Sequence, residues 1–276
     1  MQPLFRFAPS PNGYLHLGHA YSVLTNEKLA ADCGGQLLLR LEDIDRGRAR
    51  PHFVDAIHED LAWLGLQFSG AVRVQSAHFD FYQAQARRLI ERGLLYRCRC
   101  TRSAIKGATE QAGAGHDPDG APLYTGHCRD IKIEDDEVFA WRLDMRKALV
   151  LHPDPLLIRC QDEDGTVFER VAQPQRWGDV VLLRKDVPAS YHLAVVLDDA
   201  QQGITHVVRG KDLEAATDLH VLLQALFDLP SPLYIHHRLI TDEDGQKLSK
   251  SKLSKSLRDW RAEGIGAREI RRLLGF

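Results

Sequence analysis

Arg6-Phe7-Ala8-Pro9-Ser10-Pro11-Asn12-Gly13-Tyr14-Leu15-His16-Leu17-Gly18-His19 is the stretch of this 276-residue chain that decides the fold. The residues before it, 4–7, are short and apolar, as in a buried strand, and 9–13 carry turn chemistry. An apolar-periodic run then extends from about Leu17 to the breaker pair Gly34-Gly35, which predicts a helix. A helix that opens directly after a strand and a tight turn presents free N–H groups and the positive end of its dipole, a natural anion site. His16 and His19, three residues apart, project to one side of that helix start. Gly18 between them lets a flat or bulky group approach the backbone. This geometry suits a nucleotide triphosphate. A histidine pair at this spacing also suits a metal, although no third ligand stands nearby, and histidines on a helix are often simple surface residues.

Outward from this segment the alternation continues. Residues 36–41 form a near-continuous apolar run, as expected of a strand buried on both faces of a parallel sheet. Helical patterns follow at 51–64 and 79–92, each closed by a glycine, Gly65 and Gly93, suited to a C-terminal cap. Strand–helix alternation predicts an α/β fold. From Cys98 to about Trp177 the chain turns rich in Gly, Pro and Asp and reads as an insertion, with only short strands such as 139–143. Alternation resumes with a strand at 180–184, a segment at 191–198, a strand at 204–208 and a helix at 212–227. The expected organisation is one catalytic domain in two halves, 1–97 and 178–256, an insertion at 98–177, and a short C-terminal helical tail at 257–276.

Composition narrows the class. The charged fraction, 27%, and the apolar fraction, 44%, are those of an ordinary globular protein. No stretch reaches the roughly 18 apolar residues of a membrane span, and the N-terminus carries no secretory pattern. The five cysteines are an odd number, pointing to reduced thiols or metal ligands rather than a disulfide framework. No membrane partner and a cytoplasmic location are expected. Net charge is −2, so no global field draws the chain onto nucleic acid. Three local basic stretches stand out: Arg87, Arg88, Arg92, Arg97, Arg99, Arg102 and Lys106; the segment 247–255; and Arg258, Arg261, Arg268, Arg271 and Arg272. Each suits a solvated helix face as well as a polyanion, and together they make RNA a fair partner.

Near the other end stands Asp242-Glu243-Asp244-Gly245-Gln246-Lys247-Leu248-Ser249-Lys250-Ser251. Lysines on a loop after a glycine can reach a polyphosphate and neutralise a departing pyrophosphate. Paired with the histidine element, this segment resembles the second of the two signatures of class I aminoacyl-tRNA synthetases. More narrowly, 6–13, Leu39-Arg40-Leu41-Glu42-Asp43-Ile44-Asp45, Tyr191-His192-Leu193-Ala194-Val195-Val196-Leu197-Asp198-Asp199 and Val208-Arg209-Gly210-Lys211-Asp212 resemble the glutamyl-tRNA synthetase branch, over about Phe5 to Ser251. The resemblance implies a Rossmann-type parallel-sheet catalytic domain with its site at the carboxyl ends of the strands.

It further implies a chemistry. ATP and L-glutamate would react to glutamyl-adenylate and pyrophosphate, mainly through positioning and charge stabilisation. His16, Gly18 and His19 would hold ATP, and Lys250 with Lys247 the leaving group. Magnesium would accompany ATP through phosphate oxygens. Glutamate, with two carboxylates and one ammonium, needs about two cations and one anion. Arg6 and Arg209 can each take a carboxylate, Glu42 the ammonium, and the Tyr191 hydroxyl can orient the substrate. These positions match the family's glutamate pocket, together with Ala8 and Ser10; which arginine takes which carboxylate stays open. The Lys-Leu-Ser-Lys-Ser sequence recurs at 252–256, so Lys255 competes with Lys250. The Asp-x-x-Gly-x pattern before Lys247 favours the first copy.

Cys98, Cys100 and Cys128 suggest one tetrahedral, structural zinc with one further ligand. On chemistry alone His127 or His116 is favoured as the fourth. The resemblance is to a Cys-x-Cys…Tyr-x-x-x-Cys arrangement, which implies Tyr124. Finally, the chain ends 25 residues beyond Ser251, with no anticodon-binding region expected. A compact chain of this length has a radius of gyration of about 19 Å, too small to span both arms of a tRNA. Short length, glutamate motifs and the cysteine insertion together resemble the glutamyl-Q tRNA(Asp) synthetases, which activate glutamate without tRNA and pass it to queuosine in the anticodon loop of tRNA(Asp). A truncated glutamyl-tRNA synthetase charging a 3′ end, or a non-catalytic tRNA-binding paralogue, are the alternatives.

Overall fold

Residues 2–240 and 255–276 are described by a computed structural model. The chain starts with strand β1 (Leu4–Phe7), followed by helix α1 (Leu17–Asp32) and strand β2 (Gln36–Leu41). β1 and β2 pair in parallel, from Leu4 opposite Gln36 to Phe7 opposite Leu39. Helix α2 (Pro51–Trp63) opens on a proline, which needs no N–H at that position. Strand β3 (Arg73–Val74) then adds to β2, again in parallel. Helix α3 (Phe79–Glu91) completes the first half. Gly65 and Gly93, which close α2 and α3, have φ of +79° and +68°, the left-handed region that glycine enters without strain.

The second parallel unit is built from β9 (His206–Gly210), helix α7 (Ala216–Leu226) and β10 (Leu233–His237), after helix α6 (Tyr191–Gln201). β10 lies between β9 and β6 (Leu157–Gln161), parallel to both, and β7 (Val167–Val171) pairs antiparallel with β6 at the edge. The two units meet edge to edge. Thr205 donates its N–H to the Leu4 carbonyl at 3.0 Å, and its Oγ1 accepts from the Leu4 N–H at 2.7 Å. β1 therefore neighbours β2 on one side and β9 on the other, the strand order of a doubly wound sheet, with the switch point between β1 and β9. Strand β6 falls inside the stretch read from sequence as an insertion, yet it is a member of the second parallel unit. Its short Leu-Ile-Arg-Cys-Gln run carried too little periodicity to show this.

A separate antiparallel sheet joins β4 (Leu95–Cys98), β5 (Ala140–Leu143) and β8 (Val181–Leu183). It carries helices α4 (Arg102–Ala112) and α5 (Met145–Leu151) and a small cluster of Cys98, Cys128 and Ile133. The C-terminal helices α8 (Leu257–Ala262) and α9 (Ala267–Leu274) bury Leu257, Ile270 and Leu274 in the same core as Phe5, Val23, Leu24 and Leu39. The tail at 257–276 is thus helical, and its apolar residues pack on the first half of the chain.

Several arginines of the basic stretches have acidic or carbonyl partners. Arg99 pairs with Glu137 at 2.6 Å and Arg97 with Asp135. Arg92 donates to the Leu226 carbonyl, and Arg271 pairs with Glu27 at 2.9 Å. Much of the charge seen in the sequence is compensated within the fold. No helix among the described residues is long and apolar enough to cross a membrane.

Candidate active site

A cavity of about 940 Å³ opens at the carboxyl ends of β1, β2 and β9. Arg6, Ala8, Ser10, His16, Gly18, His19, Glu42, Tyr191 and Arg209 all line it, so residues from five separate sequence segments converge. Lys247 and Lys250 lie outside the described residues. Asn12, Arg48, Arg50, Phe53, Asp212 and His237 also line the cavity. Asn12 and Asp212 stand in the quoted motifs without a role there, whereas Arg48, Arg50, Phe53 and His237 carry no sequence signal and reach the cavity only through the fold.

His16 is the N-cap of α1 rather than a member of its first turn. Its Nδ1 accepts from the Gly18 N–H at 3.1 Å, and His19 Nδ1 accepts from the His16 N–H at 3.2 Å. The two imidazoles thus take the capping role usually filled by Ser, Thr or Asp, with ring centroids 3.9 Å apart. A Cβ on residue 18 would stand 2.9 Å from His16 Cε1. The glycine is thus required first by the His16 ring. Residues following the lysine segment return to this point. The Leu257 N–H donates to the Leu15 carbonyl at 2.7 Å, and Ser256 bridges to His16. Lys255 lies over the Trp260 ring, 3.6 Å from its centroid, and pairs with Glu263.

Around Arg6 and Glu42 the charges form a network. Asp199 is shared by Arg6 at 3.1 Å and Arg40 at 2.8 Å, and Arg40 also reaches Glu42 at 3.4 Å. Asp198 takes Arg73 at 2.7 Å, Gln75 at 2.8 Å and the Tyr82 hydroxyl at 2.9 Å. Burial opposes the Asp199 carboxylate, but Arg6 and Arg40 together hold it below its ordinary range. At Glu42 burial prevails over the pull of Arg40 and Arg6 and lifts the carboxyl above it. A cation brought to Glu42 would relieve that burial. Arg40, Asp198 and Asp199 stand in the quoted motifs without a role there; in the fold Asp199 joins Arg6 to Arg40, Arg40 reaches Glu42, and Asp198 lies 3.9 Å from Arg40.

Arg209 is only 5% exposed and its guanidinium lies 5.5 Å from the Tyr234 ring centroid. Burial raises the Tyr191 hydroxyl above the ordinary tyrosine range, with Arg209 opposing. Tyr191 is therefore a neutral hydroxyl at neutral pH.

Apart from the cavity lining, the thiols of Cys98, Cys100 and Cys128 lie within 4.8 Å of one another. The Tyr124 hydroxyl is 3.4 Å from Cys98 Sγ and 3.7 Å from Cys100 Sγ, and Cys100 Sγ is 3.4 Å from Cys128 Sγ. Bonds of about 2.3 Å to sulfur and 2.1 Å to oxygen in a tetrahedron put neighbouring ligands about 3.6–3.8 Å apart, so this donor set fits one zinc ion. His116 and His127 are exposed and do not join the cluster.

The fold and cavity define an α/β protein in which the start of α1 and two buried arginines, Arg6 and Arg209, line one cavity. Residues 4–273 match the family of class I tRNA synthetases (E and Q), catalytic domain. The chain belongs to that family and is a ligase of the aminoacyl-tRNA synthetase type. It is 43% identical to a glutamyl-Q tRNA(Asp) synthetase of Rhodobacter capsulatus, over 98% of this chain and 99% of that protein. It is 36% identical to a glutamate–tRNA ligase of Prochlorococcus marinus, over 97% of this chain but 56% of the ligase. A solved glutamate–tRNA ligase from Elizabethkingia meningosepticum, in complex with its amino acid, superposes with a TM-score of 0.70 at 26% identity, covering 96% of this chain and 53% of that one. The chain thus spans about half the length of these two ligases.

Proposed function

We propose that this enzyme activates L-glutamate with ATP, without tRNA, and transfers the glutamyl group to queuosine in the anticodon loop of tRNA(Asp). The observation that carries the reading is the convergence of His16, His19, Arg6, Glu42, Tyr191 and Arg209 on one cavity. The α-carboxylate oxygen of glutamate attacks the α-phosphorus of ATP and pyrophosphate leaves. His16, Gly18 and His19 hold the triphosphate at the start of α1, where the helix dipole favours negative charge. Lys250, with Lys247, takes up the charge of the departing pyrophosphate. Arg6 and Arg209 bind carboxylates, Glu42 the ammonium, and Tyr191 with Ala8 and Ser10 orients the substrate. Magnesium arrives with ATP. Cys98, Cys100, Tyr124 and Cys128 would hold one zinc ion, which stiffens the 98–140 segment and takes no part in the chemistry.

The choice of acceptor is supported by the Rhodobacter relative, whose full length this chain matches. The glutamate–tRNA ligases among the relatives favour a second reading, charging of a tRNA 3′ end. Glutamate-dependent ATP–pyrophosphate exchange without tRNA, followed by glutamate transfer to tRNA(Asp) with and without queuosine and to tRNA(Glu), separates them. Exchange together with transfer only to queuosine-bearing tRNA(Asp) is expected. Transfer to tRNA(Glu) supports the second reading, and absence of exchange overturns the enzyme assignment of this cavity.

A further inference from the structure

Arg6 and Arg40 share the carboxylate of Asp199, and Arg73 pairs with Asp198. Arg209 differs. Among the described residues its guanidinium meets no carboxylate. Nη1 contacts His220 Nδ1 at 3.2 Å, Nη2 donates to Thr217 Oγ1 at 2.7 Å, and Nε donates to His236 Nε2 at 3.4 Å. Thr217 Oγ1 lies 3.1 Å from the same His236 nitrogen, and His220 Nε2 lies 3.1 Å from His192 Nδ1.

A guanidinium carries only donors, so these contacts fix the tautomers. His220 Nδ1 must be the acceptor, which puts its proton on Nε2 and makes it the donor to His192 Nδ1. His236 Nε2 must likewise be an acceptor. An extra proton on either ring would set N–H against N–H beside a buried cation. Every group holding Arg209 is therefore neutral, and the charges of Arg6, Arg40 and Arg73 are balanced by Glu42, Asp198 and Asp199. Of these four arginines, Arg209 is the one without a carboxylate partner among the described residues. Glutamate carries one net negative charge; glutamine carries none.

We propose that His220, Thr217 and His236, with His192 behind His220, are positioning residues that hold Arg209 as an uncompensated buried cation, and that this neutral shell sets the preference for a substrate carboxylate over its amide. The proposal rests on the glutamate reading of the cavity. Burial, with Arg209 adding to it, lowers the basicity of all three histidines, as the hydrogen bonds require.

The decisive variants differ by charge alone. In His220→Asn the amide oxygen occupies the place of Nδ1 and remains a neutral acceptor; in His220→Asp a carboxylate of the same shape neutralises Arg209. ATP–pyrophosphate exchange is measured with glutamate and with glutamine for the wild type, both variants, His220→Ala and Thr217→Val. His220→Ala and Thr217→Val should raise KM for glutamate about ten- to hundredfold, the range for losing one charge-assisted hydrogen bond. KM for ATP should stay in place, and His220→Asn should recover most of the His220→Ala loss. His220→Asp should lose the discrimination between glutamate and glutamine. Equal glutamate-to-glutamine ratios in the Asn and Asp variants, or KM values for ATP and glutamate that rise together, would overturn the proposal. A wild type that exchanges with glutamate while all variants behave like it overturns the shell alone; a wild type without exchange overturns the underlying reading.

Discussion

The histidine pair at the start of α1 shows how one residue can serve two purposes. His16 caps the helix through Gly18 N–H, and His19 closes back onto His16 N–H, so the rings are fixed before any nucleotide arrives. Fixed groups need no reorganisation when charge develops. Gly18 is the tolerance on which this depends. Gly18→Ala would place a methyl 2.9 Å from His16 Cε1 and push the ring off its cap. The expected result is a loss of exchange activity of roughly tenfold or more, with stability lowered by about 1 kcal/mol, the worth of one N-cap. Exchange kinetics and urea unfolding on the same preparation check both, and an activity loss no larger than the stability change would count against the role of the ring.

At the scale of elements, the 98–140 segment joins its cysteines to a few ion pairs, such as Arg129–Asp179 at 2.5 Å and Arg99–Glu137 at 2.6 Å. Its cluster is small, and 113–139 contain no helix or strand longer than a bridge. Burial pushes the Cys100 thiol up to about 11. The protein should contain one zinc per chain. Chelation should release it and expose 113–137 to limited proteolysis, while glutamate-dependent exchange persists because the cavity is built from β1, β2, α6 and β9. Metal analysis and mass-mapped proteolysis decide this. A fully folded, protease-resistant protein without metal speaks against the site. Cys128→Ser should behave as the chelated protein does.

For the whole molecule, the two halves are joined by buried charge as well as by apolar packing. Arg40 on β2 is fully buried and reaches Asp199 on α6, while Arg73 on β3 meets Asp198. Removing one partner of such a network leaves an uncompensated buried charge, which costs about 3–5 kcal/mol. Arg40→Ala should therefore lower unfolding free energy by that amount in guanidinium titrations and raise KM for glutamate through Arg6 and Glu42. Stability should also depend on pH through the histidines. Burial and Arg209 lower His192 to about 4 and His236 to about 3, against 6.5 in the unfolded chain. Arg209 faces both rings, and Arg170 and Lys211 also face His236. Folded-state values below the unfolded one mean that this stability is fully present above pH 6.5 and is lost as pH falls towards 4 and then 3. His192 alone accounts for on the order of 3 kcal/mol across that window. Thermal unfolding between pH 7.5 and 4.5 tests it; His192→Gln should flatten the profile.

Local chemistry made much of this protein legible in its sequence. The strand–turn–helix start, the apolar run at 36–41 and the glycines at 65 and 93 each follow from short-range preferences, so they were read at almost their observed bounds. The cavity residues Arg6, Glu42, Tyr191 and Arg209 are legible for a different reason: each sits in one of the short motifs that resemble the glutamyl-tRNA synthetase branch. What only the tertiary structure decided depends on distant partners. Strand β6 joins the parallel unit because β10 presents an edge to it, and nothing within 157–161 encodes that edge. Arg97, Arg99 and Arg271 look like free charge in the sequence and are paired in the fold. The neutrality of the shell around Arg209 comes from His192, His220 and His236, drawn from three elements. A hydrogen-bond direction is a property of the pair, and only the folded chain brings the pair together.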